Sequence, residues 1–246
     1  MKVALFIPCY IDQFFPAVGR ATLQLLQKLG CDPVFPLQQT CCGQPMANSG
    51  FAKLAKNCDA NFGKNFSGFD YIVAPSGSCV LHIKEHLSVP GEAAAVQHVR
   101  SHIFELTEFM VDILKISNLD ATFPHRVGLH VSCHGQRGLY TSSMTERVAP
   151  PFSKPEQLLN MVQDITLLNP AREDECCGFG GTFCVVEEAV SAKMGKDRVA
   201  DHLESGAHYI TSADMSCLMH LEGILKRQKS TVQVKHIAEI LNAVDG

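Results

Sequence analysis

No apolar run in this chain is long enough to cross a bilayer, and charged residues make up only 19% of it. Membrane insertion is therefore not expected. Lys and Arg are scattered rather than banked. A net charge of −4 and a pI near 6.2 give nucleic acid no electrostatic footprint. The first residues form a short apolar stretch broken at Pro8, with no cleavage pattern behind it, so a cytoplasmic location is expected. Thiols stay reduced there, and an odd total of eleven cysteines does not suggest a closed disulfide framework. A ferredoxin-type Cys-x-x-Cys-x-x-Cys run is also missing. The Gly178-Phe-Gly-Gly-Thr-Phe segment fails as a dinucleotide-binding loop. Phe183 stands where the third glycine belongs, and two cysteines replace the preceding apolar strand.

What is present is one cysteine arrangement, twice. Cys9, Cys41-Cys42-Gly43 and Cys79 are matched by Cys133, Cys176-Cys177-Gly178 and Cys217 at similar intervals. A duplicated set of four thiols is the sequence form of a metal or cluster site. Adjacent cysteines rarely both reach one small tetrahedral ion, which fits zinc poorly. An iron cluster presents separate corners to neighbouring sulfurs and prefers thiolate, so two four-iron clusters are expected, with zinc an alternative in one half. Gly43 and Gly178 let the backbone turn tightly or approach the inorganic core without a side chain. Burial as small apolar residues explains single cysteines such as Cys31, Cys58 and Cys184, but not a repeated quartet.

The repeat extends into the flanking sequence. Val3 to Cys9 reads against Val127 to Cys133, and Tyr71 to His82 against Tyr209 to His220, each an apolar strand feeding a cysteine. Helical spacing at Val18, Ala21, Leu25 and Leu29 stops near Gly30. Further helices are expected at about 50–66, 79–87, 101–116, 183–204 and 215–227, with a closing helix at the end. Strands are expected at 3–7, 34–37, 70–74, 164–168, 207–211 and 231–235. The linker falls at 118–126, giving halves 1–118 and 119–246. The expected fold is α/β: two pseudo-symmetric Rossmann-like halves with mostly parallel sheets and the cysteine loops at strand-to-helix junctions. Cys79 and Cys217 would then sit at helix N-termini, whose N–H groups favour a negatively charged cluster. His134 and Arg137 lie just beyond Cys133 as candidates to donate to the cluster or offset its charge, or else to form a cap or surface ion pair. His82 and His220, one turn after Cys79 and Cys217, read as core-edge histidines.

These motifs resemble the cysteine-rich CCG proteins, in particular the lactate utilisation protein A family, also described as an iron–sulfur component of an L-lactate dehydrogenase complex. The resemblance rests on Pro8-Cys9, Cys41-Cys42-Gly43-Gln44-Pro45, Ala74 to Cys79, Ser132-Cys133-His134, Cys176 to Gly181 and Ser216-Cys217-Leu218, and covers essentially the whole chain. It implies an oxidoreductase subunit with clusters held by the eight cysteines. The implied partners are a ferredoxin-type iron–sulfur subunit and a third subunit, together oxidising L-lactate to pyruvate. The CCG component of heterodisulfide reductase carries related domains and suggests a thiol reductase as the competing activity, and a zinc-stabilised assembly module is the non-redox one. The glycolate oxidase iron–sulfur subunit is a poorer match, because it carries the ferredoxin module on the same polypeptide. In the heterodisulfide reductase component the last motif of each domain is Cys-x-x-Cys. Here its first position holds Ser76 in one half and Asp214 in the other, so Asp214 is a candidate oxygen ligand.

Overall fold

A computed structural model describes residues 1–148 and 150–244. Its first half runs β1 (Lys2–Leu5), α1 (Cys9–Phe14), α2 (Pro16–Lys28), β2 (Asp32–Val34), α3 (Gln44–Asn48) and α4 (Ala52–Phe66). It continues with β3 (Ile72–Ala74), α5 (Gly77–His86), α6 (Ala93–His102), β4 (Ile103–Glu105) and α7 (Leu106–Glu108), which extends as a π-helical turn, Phe109–Ile113. The second half opens with β5 (Arg126–Leu129), a π-helical turn at His134–Gly138, α8 (Lys154–Leu159) and β6 (Thr166–Leu168). There follow α9 (Phe183–Val186), α10 (Glu188–Glu204), β7 (Tyr209–Ser212), α11 (Met215–Arg227), β8 (Gln233–His236) and α12 (Ile237–Leu241).

Both sheets are four-stranded and wholly parallel, in the orders β2-β1-β3-β4 and β6-β5-β7-β8. The inner strands are short apolar segments buried on both faces, as a parallel sheet covered by helices requires. In each sheet the chain leaves its first strand toward one edge and later returns to build the other. The crevice this opens, at the carboxyl ends of β1 and β3 and of β5 and β7, is where such folds hold ligands.

Three local expectations are corrected. The helix expected over 101–116 is divided by β4, because Ile103 and Phe104 extend the sheet beside Ile72 and Val73. Glu105 then restarts a helix through a reciprocal capping box with Glu108. The edge strand falls at Asp32–Val34 rather than 34–37, with Pro33 tolerated because only one side of β2 is paired. The helix expected over 183–204 breaks at Glu187, whose φ of −117° and ψ of 50° are not helical.

The halves share one core, with Leu25, Phe109, Val127, Leu218 and Ile240 in a single buried cluster. The closing helix α12 packs on α2 of the first half, where Lys28 Nζ donates to the Asn242 carbonyl at 3.2 Å. Helix α7 packs in turn on α8 of the second. At the centre, Ser76 and Asp214 form an antiparallel bridge between equivalent positions.

Candidate metal centre

The same pieces of backbone build each quartet. Cys9 opens α1 after β1, Cys41-Cys42 end the loop after β2, and Cys79 lies in the first turn of α5 after β3. Cys133 precedes the π-helical turn after β5, Cys176-Cys177 end the loop after β6, and Cys217 lies in the first turn of α11 after β7. All eight thiols line one cavity of about 370 Å³ between the halves. A hydrogen bond between Ser49 Oγ and Thr182 Oγ1, 2.9 Å, ties the segments after the two cysteine pairs together. A larger cavity of about 570 Å³ lies elsewhere in the second half, lined by Glu156, Glu173 and Asp174 and by no cysteine.

Within a quartet the sulfurs interact in sequence order. Cys41 is drawn far below the ordinary thiol range by S–H donors from Cys42 and Cys9, and Cys176 by Cys133 and Cys177. The thiols of Cys9, Cys42, Cys133 and Cys177 are pushed up, first by those same hydrogen bonds and then by burial. Each half thus offers four sulfurs close enough to perturb one another, a donor set for soft metal ions and clusters.

The glycine after each cysteine pair is required by the turn. Gly43 and Gly178 have φ of 90° and 86°, a region closed to most side chains. A Cβ on Gly43 would lie 3.1 Å from Ala55 Cβ, and one on Gly178 would lie 2.7 Å from Met194 Cβ and 2.8 Å from the Ser191 carbonyl. The missing side chain therefore makes room for α4 and α10. The turn also aims Gly43 N–H at Cys41 Sγ and Gly178 N–H at Cys176 Sγ, both at 3.4 Å.

Asp214 is not placed as a ligand, which corrects that expectation. It is buried, absent from the cavity wall, and both its oxygens are engaged. Oδ1 accepts from Ser216 N–H (3.1 Å), Ser216 Oγ (2.8 Å) and Tyr10 OH (3.2 Å), while Oδ2 accepts from Ser78 N–H across the axis (2.7 Å). One carboxylate thereby caps α11 and α5 together. Ser76 caps only its own helix, through Cys79 N–H at 3.4 Å. The first-turn N–H groups of Ser78, Cys79 and Ser216 therefore go to these caps, and it is the CCG turns that donate to sulfur.

His134 lines the cavity, with Nδ1 3.8 Å from Cys133 Sγ. Arg137 turns outward to Glu146 at 2.5 Å with half its side chain exposed, so the ion-pair reading is the one realised. His82 and His220 are electrostatic neighbours of Cys41 and Cys176, and burial lowers both their pKa values, that of His82 to about 4. Cys31 packs in the core, Cys58 lies behind the first cysteine pair, and Cys184 Sγ donates to the Gly181 carbonyl at 3.0 Å. Sequence reasoning passed over His130, a ring nitrogen of which lies within 4.8 Å of Cys177 Sγ and Cys217 Sγ. The available signal was its place as the lone polar side chain between Leu129 and Val131, aligned with Phe6 of the first repeat.

The sequence model of a cysteine-rich domain, CCG, matches residues 3–84 and 127–222. "Lactate utilization protein A" of Geobacillus kaustophilus is 38% identical over 247 aligned positions, covering 99% of both chains. The protein of the same name from Exiguobacterium sp. is 40% identical, covering 98% of this chain and 97% of that one. Among solved structures, a hypothetical protein from Helicobacter pylori superposes with a TM-score of 0.60 at 12% identity, over 98% of this chain and 48% of that one. That likeness concerns the fold alone.

Proposed function

The chain belongs to the lactate utilization protein A family of cysteine-rich CCG proteins, and from that footing we propose that it is the iron–sulfur subunit of a complex oxidising L-lactate to pyruvate. One observation carries the reading: four thiols from each half converge, in the same order, on one cavity at the carboxyl ends of the central strands. The donor set suits clusters. It is all sulfur, it includes adjacent cysteines that would each be free to take a different iron, and it has N–H donors already directed at Cys41 and Cys176. A cluster bound there supplies one-electron storage that none of the surrounding side chains offers.

The protein's part is to hold and to tune. The capped N-termini of α5 and α11 hold Cys79 and Cys217 in their first turns at the cavity wall. The CCG turns fix the sulfur pairs. With no ferredoxin-type cysteine run in the sequence, electrons leave through a partner, proposed as a ferredoxin-type subunit acting with a third subunit in the cytoplasm. Among the described residues no helix is long and apolar enough to cross a membrane.

The test is anaerobic purification with iron, acid-labile sulfide and zinc assays on the wild type, Cys42→Ser and Cys177→Ser. Two clusters are expected in the wild type and one in each variant; stoichiometric zinc without sulfide would leave only the assembly-module reading. A thiol reductase of the heterodisulfide type is the second reading. It is favoured by the opening of both quartets onto one shared cavity, where a disulfide could sit between them. Disulfide-dependent oxidation of the complex without lactate turnover would select it.

A further inference from the structure

The walls behind the two quartets are built from the same positions and opposite chemistry. Phe6 and His130 occupy equivalent places between the first strand of each half and its first cysteine. Phe62 and Phe66, one turn apart on α4, meet Phe6 at ring-centroid distances of 4.9 and 5.6 Å, and the three share an apolar cluster with Cys42 and Cys79. Arg198 and His202, one turn apart on α10, surround His130 in the same way. Arg198 Nε donates to His130 Nδ1 at 3.0 Å, and the His202 ring lies 6.2 Å from that of His130. All three side chains are fully or almost fully buried.

Arg198 decides what His130 can do. A guanidinium nitrogen only donates, so His130 Nδ1 must accept, and the proton of the neutral imidazole resides on Nε2. That atom is buried without a protein partner, while a ring nitrogen lies within 4.8 Å of Cys177 Sγ and Cys217 Sγ. With Nδ1 committed to Arg198 and Nε2 carrying hydrogen, the ring has no lone pair left for a metal. It has an N–H to give to sulfur.

We propose that His130 is an N–H donor to the sulfur of the second centre, held in that role by Arg198, and that this makes the second centre the higher-potential of the two. The inference rests on the cluster reading above. Donors to sulfur and nearby positive charge favour the more negative, reduced form of a thiolate-bound cluster. Arg198 is the cationic group against His130. Its partner Asp201 accepts from Arg198 Nη1 at 3.1 Å and from the Ala171 and Arg172 N–H groups, with Arg172 Nε also 3.8 Å away. The first centre has only phenyl rings in the matching place. Arg198 is thus a positioning residue, acting through the tautomer of His130.

Potentiometric titration of the iron-loaded chain, followed by EPR, should give two midpoint potentials. The higher should survive in Cys42→Ser and the lower in Cys177→Ser. His130→Phe, which copies the first half, should shift the higher one downward and leave the lower unmoved. His130→Gln, whose oxygen can accept from Arg198 and whose amide can donate to sulfur, should restore it. Equal potentials in the wild type, an unmoved second centre or a shift of both would overturn the proposal. Should His130→Phe not fold, pulsed EPR of ¹⁵N-histidine-labelled Cys42→Ser is compared with the same chain carrying His130→Gln, because His134 and His220 also lie near this quartet. A weak imidazole coupling that is lost with His130→Gln is expected, and an unchanged spectrum or a coupling of ligand strength refutes the proposal. A chain that binds no iron or sulfide would instead defeat the cluster reading itself.

Discussion

Glu105 and His236 stand at equivalent ends of the two sheets, each finishing an edge strand and capping the short helix that crosses to the other half. Both are fully buried and both close a capping box, with Glu108 and Glu239 respectively, yet one is an acid and the other a base. The structural demand at this point is for an acceptor, which a carboxyl oxygen and an imidazole nitrogen both meet. Duplication has kept the hydrogen-bond geometry and let the titration behaviour diverge, as it kept the shape behind the quartets and exchanged phenyl rings for His130, Arg198 and His202.

The sharpest way to expose that divergence is pH. Burial raises the Glu105 pKa to about 8. Between the ordinary carboxyl value and about 8 the folded chain keeps a proton that the unfolded chain has lost, so stability falls as pH rises through this window. The total is on the order of 5 kcal/mol for this group. Burial lowers the His236 pKa to about 4. From about 6.5 down to 4 the unfolded chain binds the extra proton, so stability is lost as pH falls. Urea unfolding across this range should show Glu105→Gln flattening the alkaline limb. His236→Asn should flatten only part of the acid limb, because His82 and His202, lowered to about 4 and about 3, remain.

A smaller contrast is set by the two CCG turns. Gly178→Ala meets Met194 and the Ser191 carbonyl closely, whereas Gly43→Ala meets one methyl group at 3.1 Å. Denaturant midpoints should place the loss near ~3 kcal/mol for Gly178→Ala and ~2 kcal/mol for Gly43→Ala. Equal losses would mean that the turn, not the helix behind it, sets the requirement.

The smallest contrast concerns the caps on the central axis. Asp214→Ala removes an acceptor from two helix N-termini and from Tyr10, and should cost about 2 kcal/mol; Ser76→Ala removes one cap and should cost about 1 kcal/mol. Chemical unfolding of both variants and of the double variant checks this. Since Tyr10 OH reaches both side chains at 3.2 Å, the two losses should not add.

Much of this molecule could be read before any coordinates. The aligned segments Val3–Cys9 with Val127–Cys133, and Tyr71–His82 with Tyr209–His220, already contain strand, turn and helix start, because hydrophobic period and small turn residues act over a few residues. The same local logic failed at 101–116, where Ile103, Leu106, Phe109 and Met110 carry apolar side chains at spacings that suit a helix. Only the free edge of β3 makes a strand of Ile103–Glu105. Asp214 was misjudged for a related reason: its sequence position matches a ligand position in a related family, but its oxygens are claimed by Ser78 and Tyr10 from the other half.

By itself the sequence determined the duplicated thiol set, the parallel α/β step that delivers it and the need for glycine after each cysteine pair, since all of these follow from side-chain chemistry and backbone geometry within short segments. Tertiary structure alone decided that the two quartets face one cavity, that one carboxylate caps helices of both halves, and that an imidazole backed by a guanidinium stands behind only one quartet. Those features depend on residues far apart in the chain coming within hydrogen-bond reach, and no local pattern encodes that distance.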